Sequence, residues 1–351
     1  MTAPANNHNA IDLPSFATGW VNLADPRLGA SAVQASDEFF APKDGMLAVA
    51  PAIFIPDKYT PQGKWMDGWE TRRRRNAGHD FCVVRLGLPG LIKGFDIDTS
   101  HYTGNYPQAA SIDCCHSGLE VPAADTQWTE VLPVVSLKGN SHHFLPIAEA
   151  TAAGATRSWT HVRLNIFPDG GVARLRVYGQ VACDWTTRTG SEPYDLIAVQ
   201  NGGRALACND AHFGQPGNLL RPGRGINMGD GWETRRRREP GSDWTIIALG
   251  HPGTIQRIEI DTAHFKGNYP DRCSVQGALA TAIPESALIA QSLFWPVLLP
   301  EQAMSADAIH EFTKELCSIG TISHVRLNMI PDGGVSRLRL WGSPKRENSP
   351  S

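Results

Sequence analysis

No stretch of this sequence approaches the roughly 18–20 consecutive apolar residues of a membrane-spanning helix, so no membrane partner is expected. An excess of one charge is missing too. With 32 Lys and Arg against 35 Asp and Glu, the net charge is −3, which leaves no global basic field to recruit nucleic acid. The first residues, MTAPANNHNAIDLPSF, have neither a basic nor an apolar block, so no secretion signal is expected. The spacings of a Ser-His-Asp triad, a P-loop, an HExxH helix or paired CxxC ligands do not occur. The seven cysteines are an odd set: 82, 114, 115, 183, 208, 273 and 317. They read as reduced, mostly structural thiols of a cytoplasmic protein.

What is present is duplication. Asp67 to Arg75 reads DGWETRRRR, and Asp230 to Arg238 repeats all nine residues 163 positions later. The same offset pairs DIDTSHYTGNYP from Asp96 with EIDTAHFKGNYP from Glu259, and HVRLNIFPDGGVARLRVYG from His161 with HVRLNMIPDGGVSRLRLWG from His324. None of the cysteines has a cysteine at its mate position, so no duplicated thiolate site is expected. A period this long means two whole domains rather than a solenoid. Ahead of these blocks the offset is 173, aligning Leu23–Phe40 with Leu196–Phe213, so the first half carries about ten extra residues around Asp57 to Lys64. The expected domains are residues 18–180 and 190–343, with tails at both ends expected to be mobile.

Within each repeat the signal is β. His161, Arg163 and Asn165 alternate with Val162, Leu164 and Ile166, and Pro168-Asp169-Gly170-Gly171 supplies a turn. The returning strand puts Leu175 and Val177 on one face and Arg174 and Arg176 on the other, where they are expected to be cross-strand neighbours of the preceding polar face. Leu91–Asp98 and Thr254–Asp261 read as further strands, and Ala306–Leu316 as a helix. Many short strands with Gly and Pro punctuation predict an all-β sandwich or barrel in each repeat.

Three duplicated constellations could carry chemistry. In the first, Glu70 with Arg72 and Arg74, and Glu233 with Arg235 and Arg237, could hold an anion bidentately beside an ionised carboxylate. A solvated charged strand is the alternative. In the second, Asp98 and His101 with Asn105, and Asp261 and His264 with Asn268, sit where a strand enters a loop. There an Asp could fix a His tautomer or share a metal with it, although GNYP could equally just shape the turn. In the third, Arg163 and Asn165, with mates Arg326 and Asn328, could bind substrate or hold the domains together.

DGWETRRRR, IDTxHFxGNYP and HVRLNxxPDGG together resemble the allantoicase family over nearly the whole chain. The resemblance implies two tandem jelly-roll β-sandwiches similar to galactose-binding and discoidin-like modules. It also implies a homo-oligomeric hydrolase that converts allantoate and water to ureidoglycolate and urea in purine breakdown. For that chemistry the duplicated residues themselves offer Glu70, Glu233, His101 and His264, which are expected to be catalytic. Arginines 72, 74, 163, 235, 237 and 326 are expected to clamp the substrate carboxylate, and asparagines 105, 165, 268 and 328 to bind its ureido groups. Because every group recurs, at least one complete site per repeat is expected. No cofactor is expected, with a divalent metal on His101 or His264 and nearby carboxylates as the variant. The rival function is a non-catalytic tandem binding module.

Overall fold

A long bent strand organises each half of the computed structural model, which describes residues 13–147, 157–188 and 190–346. In the first repeat that strand is β6 (Asp80–Asp98). Its beginning joins a sheet ordered β2 (Ser31–Ala35), β6, β10 (Trp159–Phe167), β7 (Ala109–Cys115), β8 (Thr129–Ser136). Its end joins a second sheet ordered β9 (His142–Pro146), β6, β12 (Arg174–Val181), β1 (Val21–Asn22). The two sheets close as a sandwich. Cys82 and Val84 from one end of β6, and Phe95 and Ile97 from the other, are completely buried with Val162, Leu164, Leu175 and Val177. The inward parity of β6 changes from even to odd across Lys93, where the pairing with β12 skips one residue. Such a bulge re-aims the strand without breaking it.

The second repeat rebuilds the same topology. Strand β17 (Asp243–Asp261) bridges a sheet of β14 (Arg204–Cys208), β17, β21 (Ile322–Ile330), β18 (Arg272–Ala278) and β19 (Val297–Ala303) to one of β20 (Ile309–Phe312), β17, β23 (Arg337–Pro344) and β13 (Tyr194–Asp195). The expected all-β architecture of two jelly-roll-like sandwiches is therefore present. A small accessory sheet sits at one end of each. It is β5 (Trp69–Glu70) with β11 (Gly171–Val172) in the first repeat, and β15 (Phe213–Gly214), β16 (Trp232–Glu233) and β22 (Gly334–Val335) in the second. The extra residues of the first repeat fold as a hairpin of β3 (Tyr59–Thr60) and β4 (Gly63–Lys64).

Three sequence expectations give way here. Strands β10 and β12 do not pair with each other: each pairs with a different end of β6, so Arg163 and Arg174 lie in different sheets. The Pro168–Gly171 turn carries the chain across the sandwich instead of closing a hairpin. The segment Ala306–Leu316 is no helix. Its residues Ile309–Phe312 form β20, because the edge of β17 there needs a partner and Ile258 and Asp261 pair with Phe312 and Ile309. Among the described residues the α-helices are elsewhere, α1 at Ser15–Gly19 and α2 at Glu285–Ser292. Of the tails expected to be mobile, residues 1–12 and 347–351 lie outside the described residues, whereas Phe16 of α1 packs edge-on against Phe144 and Tyr178.

Candidate active site

The three long duplicated motifs meet at one end of each sandwich. The Thr71 backbone N–H donates to the Gly170 carbonyl at 3.1 Å, and the Gly170 N–H donates to the Thr71 hydroxyl at 3.1 Å. Gly171 donates to the Asn105 carbonyl at 2.8 Å. A side chain at position 170 would strike the backbone of Tyr106 and Pro107, and its φ of +139° suits only glycine. DGG is therefore a docking surface for both the WET strand and the GNYP loop. Thr234, Gly333, Gly334 and Asn268 make the same bonds in the second repeat.

This clamp puts Asn105 beside Glu70, and its side-chain amide donates to Glu70 Oε1 at 2.7 Å. Asn268 donates to Glu233 Oε1 at 2.6 Å. Only 8% of Glu70 is exposed, and burial raises its carboxyl above the usual range, an effect partly offset by the Asn105 hydrogen bond. Glu233 is only half-buried. Behind Glu70 lies Tyr102, fully buried, with its ring against Gly171; Phe265 takes its place in the second repeat.

His101 and His264 both adopt left-handed backbone conformations, φ 69° and 73°, which cost a non-glycine residue energy and need support. The support recurs. The backbone N–H of His101 donates to Asn140 Oδ1 at 2.9 Å, and that of His264 to Asp307 Oδ1 at 2.6 Å. Nε2 of His101 lies 3.1 Å from the Ala52 carbonyl, and Nε2 of His264 lies 2.8 Å from that of Gly225. A carbonyl only accepts, so Nε2 carries the hydrogen and Nδ1 holds the lone pair of the neutral ring. Asp98 does not orient His101, contrary to expectation. It caps the backbone of Ser100 and lies with Asp96 against His142.

In the first repeat Glu70, His101 and Asn105 line one open cavity of about 510 Å³ with Phe40, Phe54, Lys64, Met66, Thr103 and Asn140. The expected arginines are not among its walls. Arg72 is exposed and bound to Asp37, with Arg235 on Asp210 as its mate. Arg74 and Arg237 reach Asp80 and Asp243, while their backbone N–H groups bind Asp169 and Asp332. Arg163 and Asn165 share Asp113 on the β10–β7 face, and Arg163 stacks over Trp128. Arg326 donates to Asn328 and Ser292, and Asn328 to Ser274 and Gln276. Each of these duplicated arginines is thus engaged by side chains of its own repeat.

Comparison of the halves could not find Asn140, Lys64, Phe54 or Thr103. Asn140 and its counterpart Asp307 are 167 positions apart, off the common offset, and Lys64 lies in residues the second repeat lacks. Among the described residues, no group of three or more His, Cys, Asp or Glu clusters as metal ligands would. No helix among them is long and apolar enough to cross a membrane.

Known proteins bear on this arrangement. A model of the allantoicase repeat matches residues 21–182 and again 194–345. A probable allantoicase of Burkholderia mallei is 57% identical over 343 residues, 98% of this chain and 99% of its own. One of Ralstonia nicotianae is also 57% identical, over the same shares. The crystal structure of allantoicase from Saccharomyces cerevisiae superposes with a TM-score of 0.77 at 35% identity, covering 92% of this chain and 93% of the other.

Proposed function

This chain belongs to the allantoicase family, and from that premise we propose that it hydrolyses allantoate to ureidoglycolate and urea in the pocket built on Glu70, Asn105 and His101. In reaction terms it is a hydrolase of C–N bonds in linear amidines that serves purine breakdown. The supporting observation is Glu70: a buried carboxyl group, raised in proton affinity by desolvation and fixed by an amide, on the wall of a cavity. A carboxyl group poised upward toward neutrality is suited to give and take a proton in one cycle.

Allantoate bears a carboxylate and two ureido groups on one carbon. In the proposed step the bond from that carbon to one ureido nitrogen breaks, and the nitrogen keeps the electron pair. It takes the Glu70 proton and leaves as urea. A water oxygen bonds to the carbon, and its surplus proton returns to Glu70, through the lone pair of His101 Nδ1 where the water lies nearer the ring. The Asn105 amide N–H is committed to Glu70, which leaves its oxygen to accept from a ureido N–H. Asn140 Oδ1 is committed to the His101 backbone, which leaves its NH₂ to donate to a ureido carbonyl.

The test is urea release from allantoate, with allantoin as the control and with a chelator to examine the metal variant. Glu70→Gln is expected to lower kcat roughly 100-fold or more with little change in KM. Glu233→Gln and the double variant apportion turnover between the repeats. No urea from allantoate under any metal condition favours the binding module. The free cysteines support a cytoplasmic setting. The exposed apolar residues Ile289, Leu293 and Phe294, at and just after α2, support a homo-oligomer.

A further inference from the structure

The two sites differ most in one segment. Ala52 and Gly225 are equivalent because each carbonyl receives the site histidine, and Asp67 and Asp230 are equivalent because each receives a buried arginine, Arg174 or Arg337. Between these markers the first repeat has fourteen residues, 53–66, and the second has four, Ile226 to Gly229. The ten additional residues form the β3–β4 hairpin and its flanks, and they supply Phe54, Lys64 and Met66 to the pocket wall.

Among the described residues, Lys64 is the one lysine or arginine on that wall. Its ammonium lies 4.4 Å from the centre of the Phe54 ring, and that ring lies 5.8 Å from the imidazole of His101. An aromatic face holds a lysine in place without neutralising it. Among the described residues no carboxylate pairs with Lys64, whereas Arg72, Arg74, Arg163 and Arg174 are bound to Asp37, Asp80, Asp113 and Asp67. The short segment of the second repeat has no basic residue, and Arg224 just before it is bound to Glu259 and Asp261.

We propose that Lys64, carried by the inserted hairpin, is the anchor for the substrate carboxylate in the first-repeat site. This rests on the allantoate reading. The second repeat lacks this hairpin and instead has an exposed lysine, Lys266, at the position of pocket-lining Thr103, so the two halves offer positive charge from different elements.

The experiment measures urea release by the full-length protein and by Lys64→Met and Lys64→Arg. Lys64 is exposed, so neither change threatens the fold. Lys64→Met is expected to raise KM for allantoate about tenfold or more while kcat stays within about threefold, and Lys64→Arg to restore most of the loss. The carboxamide of allantoate, which has no charge to anchor, should be turned over alike by the wild type and Lys64→Met. An unchanged KM for allantoate in Lys64→Met overturns the assignment, as does an equal loss on the carboxamide. Urea release by the wild type establishes the underlying reaction separately, so an inactive wild type and a silent Lys64 variant are different failures.

Discussion

Replacing Arg174 with Met tests whether duplicated arginines serve the scaffold. The Arg174 side chain is 4% exposed and makes six hydrogen bonds. Nε donates to Ala50 at 2.8 Å, Nη1 to Gly45, Asp67 and Ala173, and Nη2 to Pro51 and, at 2.7 Å, to Asp67 Oδ2. Met fills most of the volume, so the cost is that of orphaned carbonyls and an unpaired Asp67. Removing one partner of a buried ion pair costs about 3–5 kcal/mol. Asp67 is 17% exposed and water can reach it, which favours the lower end, about 3 kcal/mol. At about 2–4 °C per kcal/mol for a cooperative unit of one repeat's size, melting should fall by roughly 6–12 °C in a calorimetric scan. Arg72→Met is the control: its Asp37 bridge has an arginine 63% exposed, and such pairs contribute about 0–1 kcal/mol. The carbonyls that Arg174 holds end one residue before Ala52, so KM for allantoate should also rise. If Arg174→Met melts no earlier than Arg72→Met, the scaffold role is refuted.

Two further outcomes follow. Arg163→Met should lower thermal stability, since it leaves Asp113 without its cation and with only the Asn165 amide, yet leave KM for allantoate within about twofold; a KM rise of tenfold or more would return Arg163 to the substrate. His142 is held above its ordinary pKa chiefly by its hydrogen bond to Asp96, and Asp96 is itself raised by burial. Both shifts mean the folded state binds protons more tightly. The His142 contribution is fully present below the unfolded histidine value of about 6.5 and is lost as pH rises through the elevated folded value. His142→Gln should flatten the pH dependence of first-repeat melting over that window; an unchanged slope would discount the pair. In the second repeat Arg224, a permanent cation, faces the equivalent Glu259 and Asp261 and should add no such slope.

Much of this protein is determined by its sequence alone, because much of it is written twice. The constant offset separates the halves, and the alternation of Val162, Leu164 and Ile166 with polar residues specifies strands, since a half-buried pleated surface admits little else. Survival of Glu70, Asn105 and His101 in both copies marks the residues that the folded chain gathers at one end of the sandwich. Duplication does not separate chemistry from scaffold, however, since a buried arginine that clamps a turn is held as strictly as one that would clamp a substrate. Only the tertiary structure shows that Arg72, Arg74 and Arg163 spend their charge on Asp37, Asp80 and Asp113. Only the tertiary structure sends β10 and β12 to opposite sheets, because the partner of each strand is set by where β6 bends, a long-range geometry that no local pattern encodes. The segment at Ile309 likewise became a strand by tertiary override, its local helical signal yielding to an unpaired sheet edge. Lys64 was hidden for the opposite reason: it has no counterpart to be matched with, and its significance arises only once the inserted hairpin folds over Phe54 and His101.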